Sequence, residues 1–260
     1  MRVQSLLVLG KVQGQSTEIT TYPLSFSDNW IPNRFVGLLG YKIENGAKKG
    51  AGATTITLGY VGQQGNPFGY FVAGDLNGDR VNNNEMIFVP QKGSDIKFAP
   101  FTATGVRLAN GTLGSYTFSE AEQQAAFEAF IAQDGYLSTR RGQYAERNAS
   151  TIPVLHRFDL SVQQDFVVKV KGINNNFQIR LDILNFGNML NNEWGVSQRA
   201  TNPAILSYSS INTAGEPVYR LSTQRNYDGS TSLIKDTYQW NSSVFDVWTA
   251  QLGLRYTFGN

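Results

Sequence analysis

The end of the chain carries the most regular pattern of apolar and polar positions. From Trp248 to Phe258, apolar residues occupy every second position, and polar residues or glycine occupy the positions between them. A period of two places neighbouring side chains on opposite faces, so the pattern predicts a β-strand with one apolar and one polar face. Aromatic residues stand at both ends of the apolar face. This arrangement is typical of a strand in a membrane barrel, and an amphipathic edge strand of a soluble sandwich is the alternative.

The same alternation recurs along the chain and predicts about eight strands. The predicted strands are residues 33–44, 53–62, 68–72, 156–170 and 177–183, two short strands around Leu206 and Tyr219, and the final strand. A glycine-rich basic segment joins the first two strands into a hairpin, and residues 171–176 form a second turn. The alternation is interrupted at Gln164 and Asp165, which predicts a β-bulge there.

The connections between these strands differ greatly in length. The long ones are an irregular stretch at 74–152, an Asn-rich loop at 187–203 and a polar loop at 222–243. Loops of this length are uncommon in compact domains, but β-barrels of the outer membrane combine short turns on one side with long loops on the other. The sequence therefore favours an all-β fold, an antiparallel membrane-barrel segment, and it shows no internal repeat and no domain boundary.

One short helix is predicted inside the first long stretch. Ser119 and Glu122 have the spacing of a capping box, in which each side chain accepts a hydrogen bond from the backbone N–H of the other residue. The helix is expected to end near Gln133, just before a glycine. Its apolar side consists of Phe127, Phe130 and Ile131. We therefore expect the helix to pack on a core rather than to cross a membrane.

Composition narrows the class of protein. The chain has 260 residues and 41% hydrophobic residues, and its mean hydropathy is −0.28. No apolar run approaches the ~20 residues that a membrane helix needs. The chain contains no cysteine, which excludes disulfide bonds and thiolate metal sites. Its net charge of +2 gives no reason to expect a nucleic acid as partner.

An oxygen-rich loop is the candidate metal site. Asp75, Asn77 and Asp79 match the first three ligand positions of a calcium loop, where alternate residues of a tight turn place oxygen atoms around one ion. Glu85 lies one residue before the position of the closing acid, and Arg80 stands where calcium loops have glycine. Calcium is therefore the only cofactor that the sequence suggests. The alternative is a solvated loop that is held by Asx-turns.

The sequence contains no arrangement of residues that predicts catalysis, and the chain is not expected to be an enzyme. His156 is the only histidine, and no nucleophile motif accompanies it. We interpret it as part of a polar cluster with Arg157 and Asp159 at a strand end. The charged residues of segment 140–148 are expected to pair with one another or across a loop. The candidate ligand contacts are aromatic loop residues, namely Trp194, Tyr208, Tyr219, Tyr227, Tyr238 and Trp240.

The final strand also resembles a sorting signal. Gln251, Gly253, Tyr256 and Phe258 stand in the order polar, glycine, aromatic, aromatic, which resembles the C-terminal signal by which the barrel-assembly machinery recognises outer-membrane barrels. Further segments resemble the C-terminal part of TonB-dependent outer-membrane receptors of the Oar-like and SusC-like branch. They are GDLNGD (74–79), IFVP (87–90), AAF (125–127) running to YL (136–137), RGQYAERN (141–148), HRFDL (156–160), QDF (164–166), DILNFGNMLN (182–191) and WG (194–195).

This resemblance implies a 22-stranded barrel in the bacterial outer membrane, closed by an N-terminal plug domain. Such receptors take up large or scarce ligands with energy relayed by the TonB complex, and the SusC-like branch adds a surface lipoprotein as a candidate partner. The resemblance covers most of residues 30–260, and we interpret residues 1–260 as the C-terminal portion of such a barrel, without the plug or the TonB box. We therefore expect this portion to reach the TonB complex through the missing N-terminal part and not to transport alone.

Two other functions stay open from the sequence. A small self-contained outer-membrane barrel, acting as a passive pore or an adhesin, would need every strand from this chain. A soluble β-rich binding or hydrolase domain would use the same amphipathic strands in water. The ligand also stays open, because glycans, peptides and siderophores are all consistent with the loop composition.

Overall fold

The computed structural model describes residues 25–44, 52–78, 80–241 and 243–258, and within them the fold is all-β, as predicted. Two α-helices occur in these ranges, α1 (Glu120–Gln133) and α2 (Phe186–Leu190), with 3₁₀ turns at Gly93–Asp95 and Leu137–Thr139. The strands are β1 (Arg34–Glu44), β2 (Gly52–Gln64), β3 (Pro67–Phe68), β4 (Val72–Ala73), β5 (Phe88–Val89), β6 (Lys97–Phe98), β7 (Phe101–Arg107), β8 (Leu113–Phe118), β9 (Gln143–Tyr144), β10 (Ser150–Thr151), β11 (Val154–Val170), β12 (Ile173–Leu184), β13 (Gln198–Ala200), β14 (Leu206–Ile211), β15 (Pro217–Leu221), β16 (Thr223–Arg225), β17 (Thr231–Leu233), β18 (Tyr238–Trp240) and β19 (Thr249–Phe258). No helix in the described ranges is long and apolar enough to cross a membrane.

The chain forms two compact units, each assembled from separate stretches of sequence. We call residues 31–65, 153–199 and 240–260 the sheet unit, and the remainder, which is chiefly 66–152 and 200–239, the core unit. The chain passes between the two units several times. No single position therefore marks a boundary, which explains why none is visible in the sequence.

The sheet unit contains a five-stranded antiparallel sheet in which the strands follow one another in chain order, β1-β2-β11-β12-β19. Antiparallel neighbours in this order place the end of β1, the start of β2 and the short turn 171–172 at one end of the sheet. The two long connections leave from the other end, which confirms the predicted asymmetry. Residues 45–51 lie outside the described part of the chain. Within that part β1 and β19 are the two edges, and the sheet does not close into a barrel.

The turn between β11 and β12 is shorter than predicted. Only Lys171 and Gly172 separate the strands, and both have positive φ, 50° and 85°. A two-residue turn with positive φ at both positions has the backbone twist that matches the two strands of a hairpin. The asparagines expected in the turn belong to β12, where Asn175 and Asn176 pair with Val168 and Val167. Asparagine is common in turns, but here the backbone of these asparagines pairs with β11 as part of the sheet.

The predicted bulge at Gln164 and Asp165 is wrong. The pairing of β11 with β2 and with β12 continues through both residues without a shift. Gln164 therefore takes a regular position on the otherwise apolar face. Its Oε1 accepts a hydrogen bond from the Thr54 hydroxyl (2.5 Å), and its Nε2 donates to the carbonyls of Ala53 and Asp165 (3.2 and 2.9 Å). These bonds satisfy the amide, so a polar residue interrupts the pattern without interrupting the strand.

The core unit is built around α1, whose prediction is confirmed. Ser119 Oγ accepts from the backbone N–H of Glu122 (3.3 Å), and the Glu122 carboxylate accepts from that of Ser119 (2.8 Å). Phe127 and Ile131 are fully buried, and Phe130 is nearly so. The core around them includes Tyr70, Val72, Ile87, Val89, Phe98, Leu137, Ile205, Leu206, Leu221 and Ile234.

The stretches predicted to be irregular are therefore mostly folded. Residues 74–152 contain β5 to β10, residues 222–243 contain β16 to β18, and the Asn-rich loop contains α2 and β13. Most of these strands are two or three residues long, which is too short for a period of two to be visible in the sequence. The prediction of about eight strands is wrong for the same reason. Only five form the large sheet, and the predicted strands at 68–72, Leu206 and Tyr219 belong to the core unit.

Candidate functional site

One face of the five-stranded sheet is mostly apolar. The strand pairings align apolar residues into rows that cross all five strands. Two such rows are Leu39–Leu58–Leu160–Ile183–Ala250 and Tyr41–Ile56–Val162–Leu181–Leu252. The members on the two edge strands are exposed, Leu39 to 71% and Leu252 to 67%, whereas Leu58, Leu160, Val162 and Ile183 on the inner strands are half-buried. Soluble monomers rarely expose a contiguous apolar patch of this kind, which marks an interaction surface.

Aromatic side chains lie at both ends of this apolar face. At the end with the long connections, the Tyr60 ring lies 4.9 Å from the Phe158 ring. At the end with the short turns, Phe177 stacks on Tyr256 at 4.5 Å, and Phe258 adjoins them. The rows between contain mainly aliphatic residues, with Tyr41, Thr54 and Gln164 as the exceptions. The strand β19 has ten residues, which is about the length that crosses a bilayer when a strand is tilted by about 45°.

The opposite face of the sheet is polar on β11, β12 and β19, whereas β1 exposes Val36 and Leu38 there. Asp165, Gln178 and Arg255 lie side by side on three neighbouring strands. The Asp165 carboxylate accepts a hydrogen bond from Gln178 Nε2 (2.8 Å). A cavity of about 340 Å³ opens beside these residues, lined also by Phe166, Val167, Asn176 and Thr257. Arg180 and Asp182 form an ion pair on the same face (2.8 Å). The sheet thus separates an apolar surface from a charged one.

The four residues of the predicted sorting signal all lie on the edge strand β19. Alternation places Tyr256 and Phe258 on the apolar face and Gln251 and Gly253 on the polar face. The Tyr256 hydroxyl donates to Asn175 Oδ1 (2.8 Å), which orients the ring at the short-turn end of the sheet. The structure therefore brings the two aromatic residues together and separates them from the other two. Recognition by the barrel-assembly machinery stays a prediction.

Two buried asparagines tie the start of the last strand to the end of β12, a role that the sequence did not reveal. Asn185 has a positive φ of 53°, and its Nδ2 donates to the carbonyls of Gly195 and Asp246 (3.0 and 2.9 Å). Asn188 Oδ1 accepts from the backbone N–H of Trp248 (3.2 Å). These contacts give a structural role to Asn185 and Asn188 in the segment DILNFGNMLN and to Gly195 in the segment WG. Asparagine is the non-glycine residue that best tolerates positive φ, and this is the signal that could have identified Asn185.

Replacing Asn185 by alanine is expected to loosen the start of β19. The variant loses both hydrogen bonds from Nδ2 and places alanine at positive φ, which together cost about 1–3 kcal/mol. Hydrogen–deuterium exchange should therefore increase in residues 246–250. Asn192→Ala, an exposed position in the same connection, is the control and should leave exchange there unchanged. Equal exchange in the two variants would contradict a fastening role for Asn185.

The acidic loop is held by its own backbone. The Asp75 carboxylate accepts from the N–H groups of Gly78 (2.7 Å) and Arg80 (2.8 Å), as the Asx-turn alternative predicts. Both carboxylate oxygens of Glu85 are buried. Asp79 lies outside the described residues, and within these no group of three acidic, histidine or cysteine residues could hold a metal. Calcium binding by Asp75, Asn77, Asp79 and Glu85 stays a prediction.

The polar cluster predicted around His156 is divided between the two faces of the sheet. His156 Nδ1 forms a hydrogen bond with the Tyr60 hydroxyl (2.8 Å) on the apolar face. Arg157 and Asp159 approach each other at 3.8 Å on the polar face. The prediction of one cluster is therefore wrong, because neighbouring residues in a strand point in opposite directions.

The charged residues of segment 140–148 are paired, as expected. Arg140 binds Glu146 (2.8 Å) and Arg147 binds Asp28 (3.2 Å). The Arg141 guanidinium hydrogen-bonds the Glu128 carboxylate and lowers its pKa. These pairs lie within the core unit and serve its structure.

The aromatic loop residues proposed as ligand contacts fall into two groups. Tyr219 is buried in the core unit, Tyr208 packs against the same core, and the Tyr238 hydroxyl donates to the carbonyl of Thr151 (3.0 Å). These three are structural. Tyr227, Trp194 and Trp240 are exposed.

The two-faced sheet is therefore the feature on which a functional assignment depends. Comparisons of the chain with models of protein families, with curated proteins and with solved structures found no match. Similarity to a known protein thus adds nothing to the argument. The functional assignment is therefore based on the chemistry of the two faces of the sheet.

Proposed function

We propose that the five-stranded sheet is part of a transmembrane β-barrel in the bacterial outer membrane. We further propose that the chain is the C-terminal portion of a TonB-dependent receptor that imports a large or scarce ligand. The observation that carries the proposal is the exposed apolar face, aromatic at both ends and backed by a polar face on β11, β12 and β19. In a membrane barrel such a face contacts lipid, and the polar face lines the interior.

The free energy of transfer supports this placement of the apolar face. A large aliphatic side chain gains about 1.5–3 kcal/mol when it leaves water. The rows through Leu39 and Tyr41 contain several such side chains, among which Leu39, Leu181 and Leu252 are exposed and would face water in a soluble protein. Lipid removes this cost without any protein partner. The polar face, which carries Asp165, Arg180 and Arg255, could not occupy lipid and needs an aqueous interior.

The two edges of the sheet favour a portion of a larger barrel over a small self-contained one. Unpaired backbone N–H and C=O groups are not tolerated in hydrocarbon, so strands must pair with β1 and with β19 on their outer sides. The described residues supply five strands to this sheet, whereas small barrels close with about eight. The remaining strands of a receptor barrel would meet this requirement. In this topology the long connections face the cell surface, where ligand first arrives.

Cysteine accessibility in the membrane tests the proposal directly, because the chain has no native cysteine. Leu254 and Arg255 are neighbours on opposite faces of β19. In outer membranes isolated from cells that make the protein, a lipid-soluble maleimide should label Leu254→Cys and a water-soluble one should not. Arg255→Cys is the matched control, and a water-soluble maleimide should label it once detergent opens the barrel interior. The protein should also need detergent for extraction from the membrane fraction.

Two results would contradict the proposal. One is recovery of the protein in the soluble fraction without detergent. The other is labelling of Leu254→Cys by the water-soluble maleimide in intact membranes.

A further inference from the structure

The sheet unit exposes a second group of apolar side chains beyond the ends of its strands. They lie in α2, in the residues that follow it, and in the turn before β19. We call this group the apolar rim, and it consists of Met189, Leu190, Trp194, Val244, Phe245, Val247 and Trp248. Phe245 is the most exposed member, at 80%. None of these residues belongs to a strand, and apart from Trp248 the alternation of the sheet does not account for their exposure.

The apolar rim is built on a fixed base. The asparagine contacts described above join the connection after β12 to the turn before β19. Asn185 is 0% exposed, and Asn188 Nδ2 donates to the carbonyls of Asn192 and Trp194 (both 3.0 Å). The Asp246 carboxylate accepts from the backbone N–H of Ser197 (3.1 Å). Buried polar groups thus hold a segment whose outer side chains are apolar, which is an arrangement that presents those side chains outward.

The apolar rim continues the apolar face of the sheet. A Cβ atom placed on Gly187 would lie 3.7 Å from Trp194 Cβ and 3.8 Å from Phe158 Cδ2. Phe158 belongs to the apolar face, beside Tyr60. The rim therefore meets that face at the end with the long connections. Trp248, which directly precedes β19, extends the alternation of that strand by one step.

The charge of these segments indicates what the apolar rim contacts. Residues 184–197 and 240–248 contain no lysine or arginine and only two acidic residues, Glu193 and Asp246, of which Asp246 is buried. Tryptophan, leucine, methionine and phenylalanine without basic residues suit insertion into the boundary between lipid headgroups and acyl chains. They do not suit electrostatic attachment to phosphate groups.

We propose that the apolar rim is an interfacial anchor that lies in the outer leaflet of the membrane. This inference rests on the proposed function, because it places the rim at the outer border of the lipid-facing sheet. It goes further in assigning a lipid contact to a connection between strands. The anchor fixes the depth at which the long connections emerge from the membrane. Its contact with lipid is hydrophobic, so it does not depend on ionic strength.

Site-directed spin labelling tests this anchor in outer membranes that contain the protein. Single cysteines replace Leu190 or Phe245 in the rim, Asn192 as an exposed polar control in the same connection, and Leu254 as a reference on the apolar face. Power saturation then compares collisions with oxygen, which concentrates in lipid, and with a water-soluble nickel chelate. We expect labels at Leu190→Cys and Phe245→Cys to show several-fold higher oxygen-to-nickel accessibility than Asn192→Cys. Raising the salt concentration should not change this ratio.

Three results would overturn the inference, and they differ in what they say about the membrane. Rim labels as open to nickel as Asn192→Cys, with Leu254→Cys still in lipid, would place the rim in water and leave the proposed function intact. Rim labels shielded from both oxygen and nickel would show that a protein partner, not lipid, covers them. A Leu254→Cys label open to nickel would contradict the proposed function itself.

Discussion

Arginine in place of Leu252 is expected to destabilise the membrane-embedded protein by about 2–4 kcal/mol, the cost of a basic residue near the middle of the lipid face of a barrel. Leu252 pairs with Leu181 in a central row of the apolar face, far from both aromatic ends. Its side chain would have to carry a guanidinium into hydrocarbon. The measurement is urea unfolding of the protein in phospholipid vesicles, followed by tryptophan fluorescence.

The control for this variant is its immediate neighbour. Gln251 lies on the polar face opposite Asp182, so Gln251→Arg should change the free energy of unfolding by about 0.5 kcal/mol or less. The two variants introduce the same charge one residue apart, and only the face differs. Destabilisation of similar size in both would contradict a lipid-facing surface. A large effect confined to Gln251→Arg would mean that the two faces are assigned the wrong way round.

Loss of the Asp134 carboxylate is expected to destabilise the core unit by several kcal/mol. Asp134 is 3% exposed, and its carboxylate accepts hydrogen bonds from the hydroxyls of Tyr70 (2.5 Å) and Thr237 (2.7 Å) and from the backbone N–H groups of Tyr136 and Leu137. Burial and this carboxylate raise the pKa of Tyr70, which stays a protonated donor. In Asp134→Ala these donors lose their acceptor, and each that stays buried costs about 1–3 kcal/mol.

Two further variants make this prediction specific. Tyr70→Phe removes one donor and leaves Asp134 with three others, so its effect should be smaller. Asp228→Ala removes an exposed carboxylate that pairs with Arg107 on the surface, so its effect should be much smaller than that of Asp134→Ala. Thermal unfolding and limited proteolysis of the core unit provide the measurement. An effect of Asp134→Ala no larger than that of Asp228→Ala would show that the buried network contributes little.

Long strands and the capped helix could be predicted because their signals are local. β2, β11, β12 and β19 are long enough for alternation to exceed chance, and each prediction is confirmed to within a few residues. The capping box of α1 depends on two residues three positions apart. No knowledge of distant contacts is needed for either feature.

The core unit could not be predicted in the same way. Its strands include β4, β5 and β6, each only two residues long, and β4 and β6 pair in parallel with β14 and β15, from which they are far separated in sequence. A buried residue such as Ile87 has no periodic neighbours that mark it. Long-range packing decides these elements, and a local pattern contains no information on such packing.

The candidate site shows the same division. Alternation alone predicted which residues of β19 are apolar and which are polar, and so defined the membrane hypothesis. It missed Asn185, because the role of this residue depends on hydrogen bonds to Gly195 and Asp246, which lie 10 and 61 residues further along the chain. It also misread Gln164, because a polar side chain on an apolar face is acceptable only when tertiary neighbours such as Thr54 satisfy it.

The sequence by itself determined the all-β class, the two faces of the long strands, the unequal connections and the capped helix. Each of these follows from backbone geometry and from residues a few positions apart. Only the tertiary structure decided that the faces align into one surface across five strands, that the long connections build the packed core unit, and that buried asparagines hold the apolar rim. These features depend on which distant segments meet, and that is set by packing and by the hydrogen bonds that buried polar groups must find.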